Sequence, residues 1–494
     1  MSSAPRHRLM LIAVDACELS LVRSALPGLP TFERLFAEGA YFPLHSTAEY
    51  ISASVWPTMY SGLPPGDHAI SQHIQWDPAA QAMRRVDGDW LWCEPFWYEL
   101  ARAGLGVTAV DVPFTFENRL PEAVEVTNWG SHDLTGRFAA NPSPLRREIH
   151  RRFGRHPMGY EIPVSKDTRQ LETMRRECVE GAATKGRLSR WLRDTTEWDF
   201  FLTVFGECHR AGHILWREDA PAHAHVPPGA LLDVYRAVDA AVGELLEGVD
   251  TENTTVVVFS LHGMGPNFSQ EHFVRRAMDR INATFRHDAL PEEEPAAQHG
   301  AMRWLRESIP APLQHAIARA VPVQVRDWVV SREVTGGLDW SRTPGFALRS
   351  DLWSFVRLNL VGRERLGMLE PGSEAHRGYV EHVTQRLLEL RAEATDKAIV
   401  RDVVPAPEVL PGARQHLLPD LILRWTDQYP ATRAHSERLG TIEAAPDSGR
   451  TGEHRPDGFA LVLGPRARQG GLPPLAHNGD FARFAKHLLL GGPG

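Results

Sequence analysis

Cysteine is scarce: Cys17, Cys93, Cys178 and Cys208 are the only four in 494 residues, and no two of them form a CxxC pair. That spacing excludes a disulfide framework and a cysteine zinc cluster, and it fits a reducing cytoplasm. Lysine is equally rare, confined to Lys166, Lys185, Lys397 and Lys486, so arginine supplies nearly all the positive charge. A formal net charge of -8 leaves a mildly acidic surface, which disfavours duplex nucleic acid as a partner but leaves room for a small anion held by local charge. No apolar stretch approaches the length that crosses a bilayer, and "RLMLIAV" is too short for a signal segment and runs into Asp15 without a cleavage pattern. These absences predict a cytoplasmic chain without a membrane partner.

What is present is a globular mixture, 43% hydrophobic and 23% charged. "RLMLIAV" (8 to 14), "GVTAVDV", "DFFLTVF" (199 to 205) and "TTVVVFS" (254 to 260) read as fully buried strands. Between them lie amphipathic helical patterns, among them "PTFERLFAEG", "EPFWYELARAG", the stretch from Thr168 to Asp194 and "GALLDVYRAVDAAVGELLEG". Apolar strands separated by such helices predict parallel βαβ units and a mainly parallel sheet covered by helices. From 268 to 344 the pattern becomes helical and proline-interrupted, which predicts an inserted helical cap. Strand-like segments return at "SFVRLNL", "DLILRW" and "GFALVLG", with a long helix from Glu374 and a last one near Phe481. The expected organisation is a catalytic core of 1–267 and 345–494 around a cap of 268–344.

In an open α/β sheet, ligands bind outside the carboxyl ends of the strands. Asp15 follows "LIAV", Asp111 follows "VTAV", Glu207 and His209 follow "FFLTVF", and His262 follows "VVVFS"; His454 lies just before a late strand. In "ECHRAGHILW" His209 and His213 are four apart, so on a helix both imidazoles share one face and can share a metal. With 23 histidines, pairs at this spacing arise by chance; what sets this one apart is its place at a strand end, together with two histidines remote in sequence. Asp15 alone reads equally well as a helix cap, and Asp111 as structural.

Taken together, "LIAVDA", "SASVWPTMYSGLPPGDHAI", "ECHRAGHILW", "VVVFSLHGMG" and "TGEHRPDGFALVLGP", in that order over residues 10 to 465, resemble the alkaline phosphatase superfamily, closest to its type I phosphodiesterase/nucleotide pyrophosphatase branch. The resemblance implies a three-layer αβα sandwich with a mainly parallel central sheet. It implies that Asp15, Ser52, His209, His213, His262 and His454 gather one or two divalent metal ions, usually zinc, with Ser52 as nucleophile. Ser54, where the family often has proline, is the lesser candidate, and Thr58 and Ser61 fall on a helix. His73 stands near a phosphate-clamping asparagine of the family. Glu207 and Asn128 are further candidates for the site, and His132 in "NWGSHD" is weighed with Asn128 against an ordinary turn.

Two departures alter the implied metal set. His209 replaces an aspartate, giving a three-histidine site with His213 and His454 that suits zinc. Leu261 replaces the aspartate of the family's Asp-His pair and removes a ligand, so the second site is weakly held, completed by a neighbour such as Glu207, or vacant. Trp56 occupies the position where sulfatases of the superfamily have arginine, which argues against sulfatase chemistry. Metal coordination lowers the pKa of a serine hydroxyl, and a serine placed before a helix directs phosphate toward backbone N–H groups. The implied activity is metal-dependent hydrolysis of a small phosphoric ester, most readily a diester. The alternatives are a phosphomonoesterase, a phosphoryl transferase or mutase, and a binding protein that has lost turnover through Leu261.

Overall fold

Alternate side chains of the strand Arg8–Val14 point to opposite faces, and both faces are apolar. Met10, Ile12 and Val14 pack with one hydrophobic cluster, Leu9, Leu11 and Ala13 with another. A strand buried on both faces needs helices on both, and the sequence supplies them. The first cluster is closed by residues from Pro30–Glu38, Thr168–Thr195 and Ala230–Leu246, the second by residues from Val55–Ser61, Trp97–Arg102 and Phe481–Leu490. The result is the three-layer αβα sandwich. The computed structural model describes residues 6–90, 93–117, 120–131, 136–159, 167–291, 323–348, 350, 352–446 and 449–491.

The main sheet has eight strands, in the order Ala40–His45, Asp457–Leu463, Thr254–Ser260, Arg8–Val14, Phe200–Phe205, Val107–Val110, Ala123–Thr127 and Ala139–Asn141. Its five inner strands, Thr254–Ser260 through Ala123–Thr127, are parallel; the two strands at one edge and the last at the other are antiparallel to their neighbours. The register places Val14 beside Phe205 and Ala13 beside Phe259. Three neighbouring strands therefore end together, just before Asp15, the helix of His209, and His262.

Of the strands after residue 344, Asp457–Leu463 enters the main sheet. Gly345–Leu348, Ser354–Leu358, Leu421–Trp425 and Val400–Pro405 form a separate antiparallel sheet. The helices Val274–Phe285 and Glu374–Leu388 cover it through Val274, Ile281, Tyr379 and Val383, packed with Val356 and Leu423. The described part of the expected cap contributes the helices Val274–Phe285 and Val323–Thr335; residues 292–322 of that segment lie outside the described residues. A two-stranded ribbon, Gly263–Pro266 with Gly452–Arg455, pairs Met264 with His454 and carries that late histidine back to the loop of His262. Among the described residues no helix is long and apolar enough to cross a membrane.

Candidate metal centre

Asp15 leaves the first strand with its N–H bonded to the carbonyl of Phe205 at 2.9 Å. The next strand leads through Gly206 into the helix Glu207–Leu215, every residue of which is buried. Its 3.6-residue turn sets His209 and His213 on one face, with ring centroids 4.8 Å apart. The ring of His454 lies 4.7 Å from each of them and 4.6 Å from that of His262. Four imidazoles from three distant segments thus meet beside one carboxylate.

Hydrogen bonds fix which ring nitrogens face one another. His213 donates from Nδ1 to the carbonyl of Gly452 at 3.0 Å, and His209 donates from Nδ1 to Asp15 Oδ2 at 2.8 Å. A carbonyl or carboxylate can only accept, so in both rings Nδ1 carries a proton, and in the neutral ring Nε2 presents a lone pair. These two Nε2 atoms stand 3.0 Å apart. Two lone pairs so placed repel unless a proton or a metal ion lies between them. Imidazole nitrogens bound tetrahedrally at zinc are roughly 3.3 Å from one another, and the donor atoms of His209, His213 and His454 all lie within 4.8 Å of each other. The residues fit a divalent ion. Asp15, His209 and His262 form a second group of the same compactness; His262 Nε2 is 3.5 Å from Asp15 Oδ1.

Ser52 opens a 3-10 turn, Ser52–Ser54, that runs into the helix Val55–Ser61. Four residues on, Trp56 donates its indole N–H to Asp15 Oδ1 at 3.1 Å, tying this segment to the cluster. Ser52 is partly exposed, and His209 at 8% is the most open of the four histidines. Ser54 is fully buried and bonded to Thr47 Oγ1 and the carbonyl of Ile51. Thr58 meets His68, and Ser61 bonds the carbonyl of Pro57, both as helix residues.

Other sequence candidates sit elsewhere. Glu207 accepts from His156 Nε2 at 2.8 Å, and both are buried. Burial pushes the Glu207 carboxyl up, but the His156 bond and the nearby charge of Lys185 outweigh it and hold it below its usual range. Burial also lowers His156, against the pull of Glu207, so the imidazole is the neutral partner. Asn128, at a left-handed φ of 56°, lines a cavity of about 520 Å³ with Arg137, Arg146 and Arg147. The cavity touches none of the clustered histidines. His73 precedes the hairpin strand Ile74–Asp77, and its carbonyl accepts from Val86. His132 lies outside the described residues. Asp111 is structural: it bonds the backbone N–H groups of Trp129 and Gly130, each at 2.7 Å, and pairs with buried Lys185. Cys208 packs in the apolar core with Cys17 and Cys178.

Glu453 escaped the sequence reading. It is buried, with Oε1 3.8 Å from His213 Nδ1 and 3.7 Å from His454 Nε2, while Arg450 lies 3.3 Å from Oε2. Adjacency to His454 was its only signal. Trp56 stands where sulfatases of the superfamily have arginine, and its bond to Asp15 depends on packing that spacing does not reveal.

The model of the family described as type I phosphodiesterase / nucleotide pyrophosphatase matches residues 9–329. Among solved structures, phosphonoacetate hydrolase from Sinorhizobium meliloti 1021, in complex with phosphonoformate, is similar at 15% identity and a TM-score of 0.53, over 97% of this chain and 95% of that one. Murine ectonucleotide pyrophosphatase / phosphodiesterase 5, as an inactive variant in complex with AMP, is similar at 12% identity and a TM-score of 0.50, over 98% of this chain and 95% of that one. No curated protein matches by sequence.

Proposed function

Because the chain belongs to the type I phosphodiesterase / nucleotide pyrophosphatase family of the alkaline phosphatase superfamily, we propose that it hydrolyses a small phosphoric ester, with Ser52 as nucleophile and a divalent metal, zinc by ligand type, held by His209, His213 and His454. The observation that supports this most is the pair of Nε2 lone pairs of His209 and His213, 3.0 Å apart. Three neutral imidazoles favour zinc over magnesium or calcium, which take oxygen ligands. When bound, such an ion stabilises negative charge on an ester oxygen and lowers the pKa of a hydroxyl beside it.

The chain's own residues supply the rest. Ser52 Oγ attacks phosphorus in line with the leaving oxygen, the P–O bond to that oxygen breaks, the Ser52 proton passes by way of solvent to the departing oxygen to give the alcohol, and the phosphoryl group, still esterified when the substrate is a diester, is left on Ser52. Water then cleaves the phosphoserine and restores the hydroxyl. Asp15 and Trp56 hold the Ser52 segment against the histidines. Burial of all four imidazoles keeps bulk water from competing for their lone pairs. His209, at 8%, is the most exposed of the four histidines, and Ser52 is partly exposed.

The test is hydrolysis of bis(p-nitrophenyl) phosphate and p-nitrophenyl phosphate by protein stripped with chelator and reloaded with zinc. Activity that returns with the metal, and phosphate trapped on Ser52 after acid quench, supports the reading. Absence of turnover with every divalent ion leaves a binding protein on this fold. Transfer of the phosphoryl group to an added alcohol, in preference to water, makes it a transferase.

A further inference from the structure

The family reading brings six donors to two ions, yet the donors of this chain divide unequally. We propose that it holds one metal ion, on His209, His213 and His454, and that Asp15 serves as the carboxylate that fixes the ring of His209 instead of as a ligand to a second ion. The inference rests on the reading above that the histidine cluster binds metal.

Three observations carry it. First, the two compact donor groups share one ring, His209. Its Nε2 faces His213 and its Nδ1–H is given to Asp15, so it can reach a second ion only as an imidazolate, after losing that proton. Second, Asp15 is engaged at both oxygens, Oδ1 by the indole N–H of Trp56 at 3.1 Å and Oδ2 by His209 at 2.8 Å. A histidine ligand whose other N–H rests on a carboxylate is the arrangement that fixes the tautomer and raises the basicity of the ligating nitrogen. Third, Leu261, at the position of the family's second carboxylate, is 1% exposed and packed in the apolar core. It offers no donor. Without His209 and without a carboxylate at 261, the second site retains only Asp15, His262 and the hydroxyl of Ser52. Of these only Asp15 and His262 are carboxylate or imidazole donors, two where a typical catalytic zinc site has three His, carboxylate or thiolate ligands.

The charge balance agrees. The ligands of the first ion are neutral, so the negative charge that offsets it comes from one shell further out. Asp15 behind His209 supplies it there, and Glu453 lies 3.8 Å from His213 Nδ1. An Asp15 shared with a second dication would surrender this role.

Calorimetric titration of the chelator-stripped full chain with zinc alone, checked by elemental analysis after gel filtration, decides the matter. One ion per chain is the expected result. Two ions per chain overturn the inference and leave the proposed function standing; none overturns both. Cobalt substitution adds a readout independent of turnover. His262→Ala should keep one cobalt with an unchanged visible spectrum, His213→Ala should lose it, and Asp15→Asn should keep it with affinity weakened about 10- to 100-fold. A His262→Ala protein that loses cobalt, or an Asp15→Asn protein with undiminished affinity, overturns the assignment. Wild-type stoichiometry decides by itself, whatever the folding of any variant.

Discussion

His213 donates its imidazole N–H to the Gly452 carbonyl at 3.0 Å, and a Cβ built on Gly452 would stand 2.1 Å from the carbonyl oxygen of Gly212, the residue before His213. The strand Gly452–Arg455 can approach the histidine helix this closely only because residue 452 has no side chain. The expected outcome for Gly452→Ala is a shift of that strand, which moves His454 away from His213. Overpacking of this kind costs about 1–3 kcal/mol, read as a lowered urea midpoint, and metal affinity should fall with it. An alanine variant of wild-type stability and wild-type zinc affinity counts against this account of how the centre is assembled.

The two serines of the Ser52–Ser54 turn should separate by experiment. Ser52→Ala is expected to lower turnover by at least about 1000-fold, as removal of a nucleophile does, with metal content unchanged. Ser54→Ala removes a buried hydroxyl bonded to Thr47 and Ile51. It should cost about 1 kcal/mol of stability or somewhat more while leaving kcat near the wild-type value. Kinetics and denaturation on both variants check the assignment, and the reverse pattern exchanges the roles.

Two buried groups give the stability opposite slopes with pH. His68 accepts the Ile70 N–H at Nδ1 and meets Thr58 at Nε2, and burial lowers its pKa to about 3 from 6.5. The unfolded chain therefore takes up a proton that the fold refuses, and the contribution of His68 is complete above pH 6.5 and lost as pH falls toward 3. Glu125, buried beneath Trp97 and Tyr98, is pushed up to about 7 from 4.5 by burial, against the bonds those residues donate. Its contribution is complete below pH 4.5 and lost as pH rises through 7. Each changes stability by about 1.4 kcal/mol per pH unit within its window, so between pH 4.5 and 6.5 they offset. Relative to wild type, His68→Gln should lose stability as pH rises through that range, and Glu125→Gln should gain it; urea midpoints at pH 5 and 6.5 decide the signs.

Lys185 and Asp111 form an ion pair with each side chain 1% exposed. Lys185→Met leaves the carboxylate with the backbone N–H groups of Trp129 and Gly130 as its remaining donors. Stranding a buried charge costs about 3–5 kcal/mol. The double change Lys185→Met with Asp111→Asn should recover much of that loss in urea denaturation. Additive losses would show that the pair is not energetically coupled.

Much of the fold was legible because buried parallel strands are read as apolar runs. "RLMLIAV" and "TTVVVFS" occupy the strands expected of them, and the pattern from Thr168 runs as one helix to Thr195. The HxxxH spacing and strand-end rule led to His209, His213 and His262, which the structure does gather. The separate sheet of residues 345–425 was not legible, since alternation marks a strand without naming its partner. Glu207 illustrates the same limit at the site: the sequence puts it at a strand end, but its carboxylate is turned to His156, whose approach depends on Gly130 and Gly181, where any Cβ would come within 2.7 Å of the ring.

Residue 454 enters the centre on a ribbon paired with Gly263–Pro266, and the strand after it, Asp457–Leu463, lies between Ala40–His45 and Thr254–Ser260. The strand that joins those two in the sheet thus follows the second of them by about two hundred residues of sequence. The group His209, His213 and His454 is therefore incomplete in any fragment that ends before Gly452.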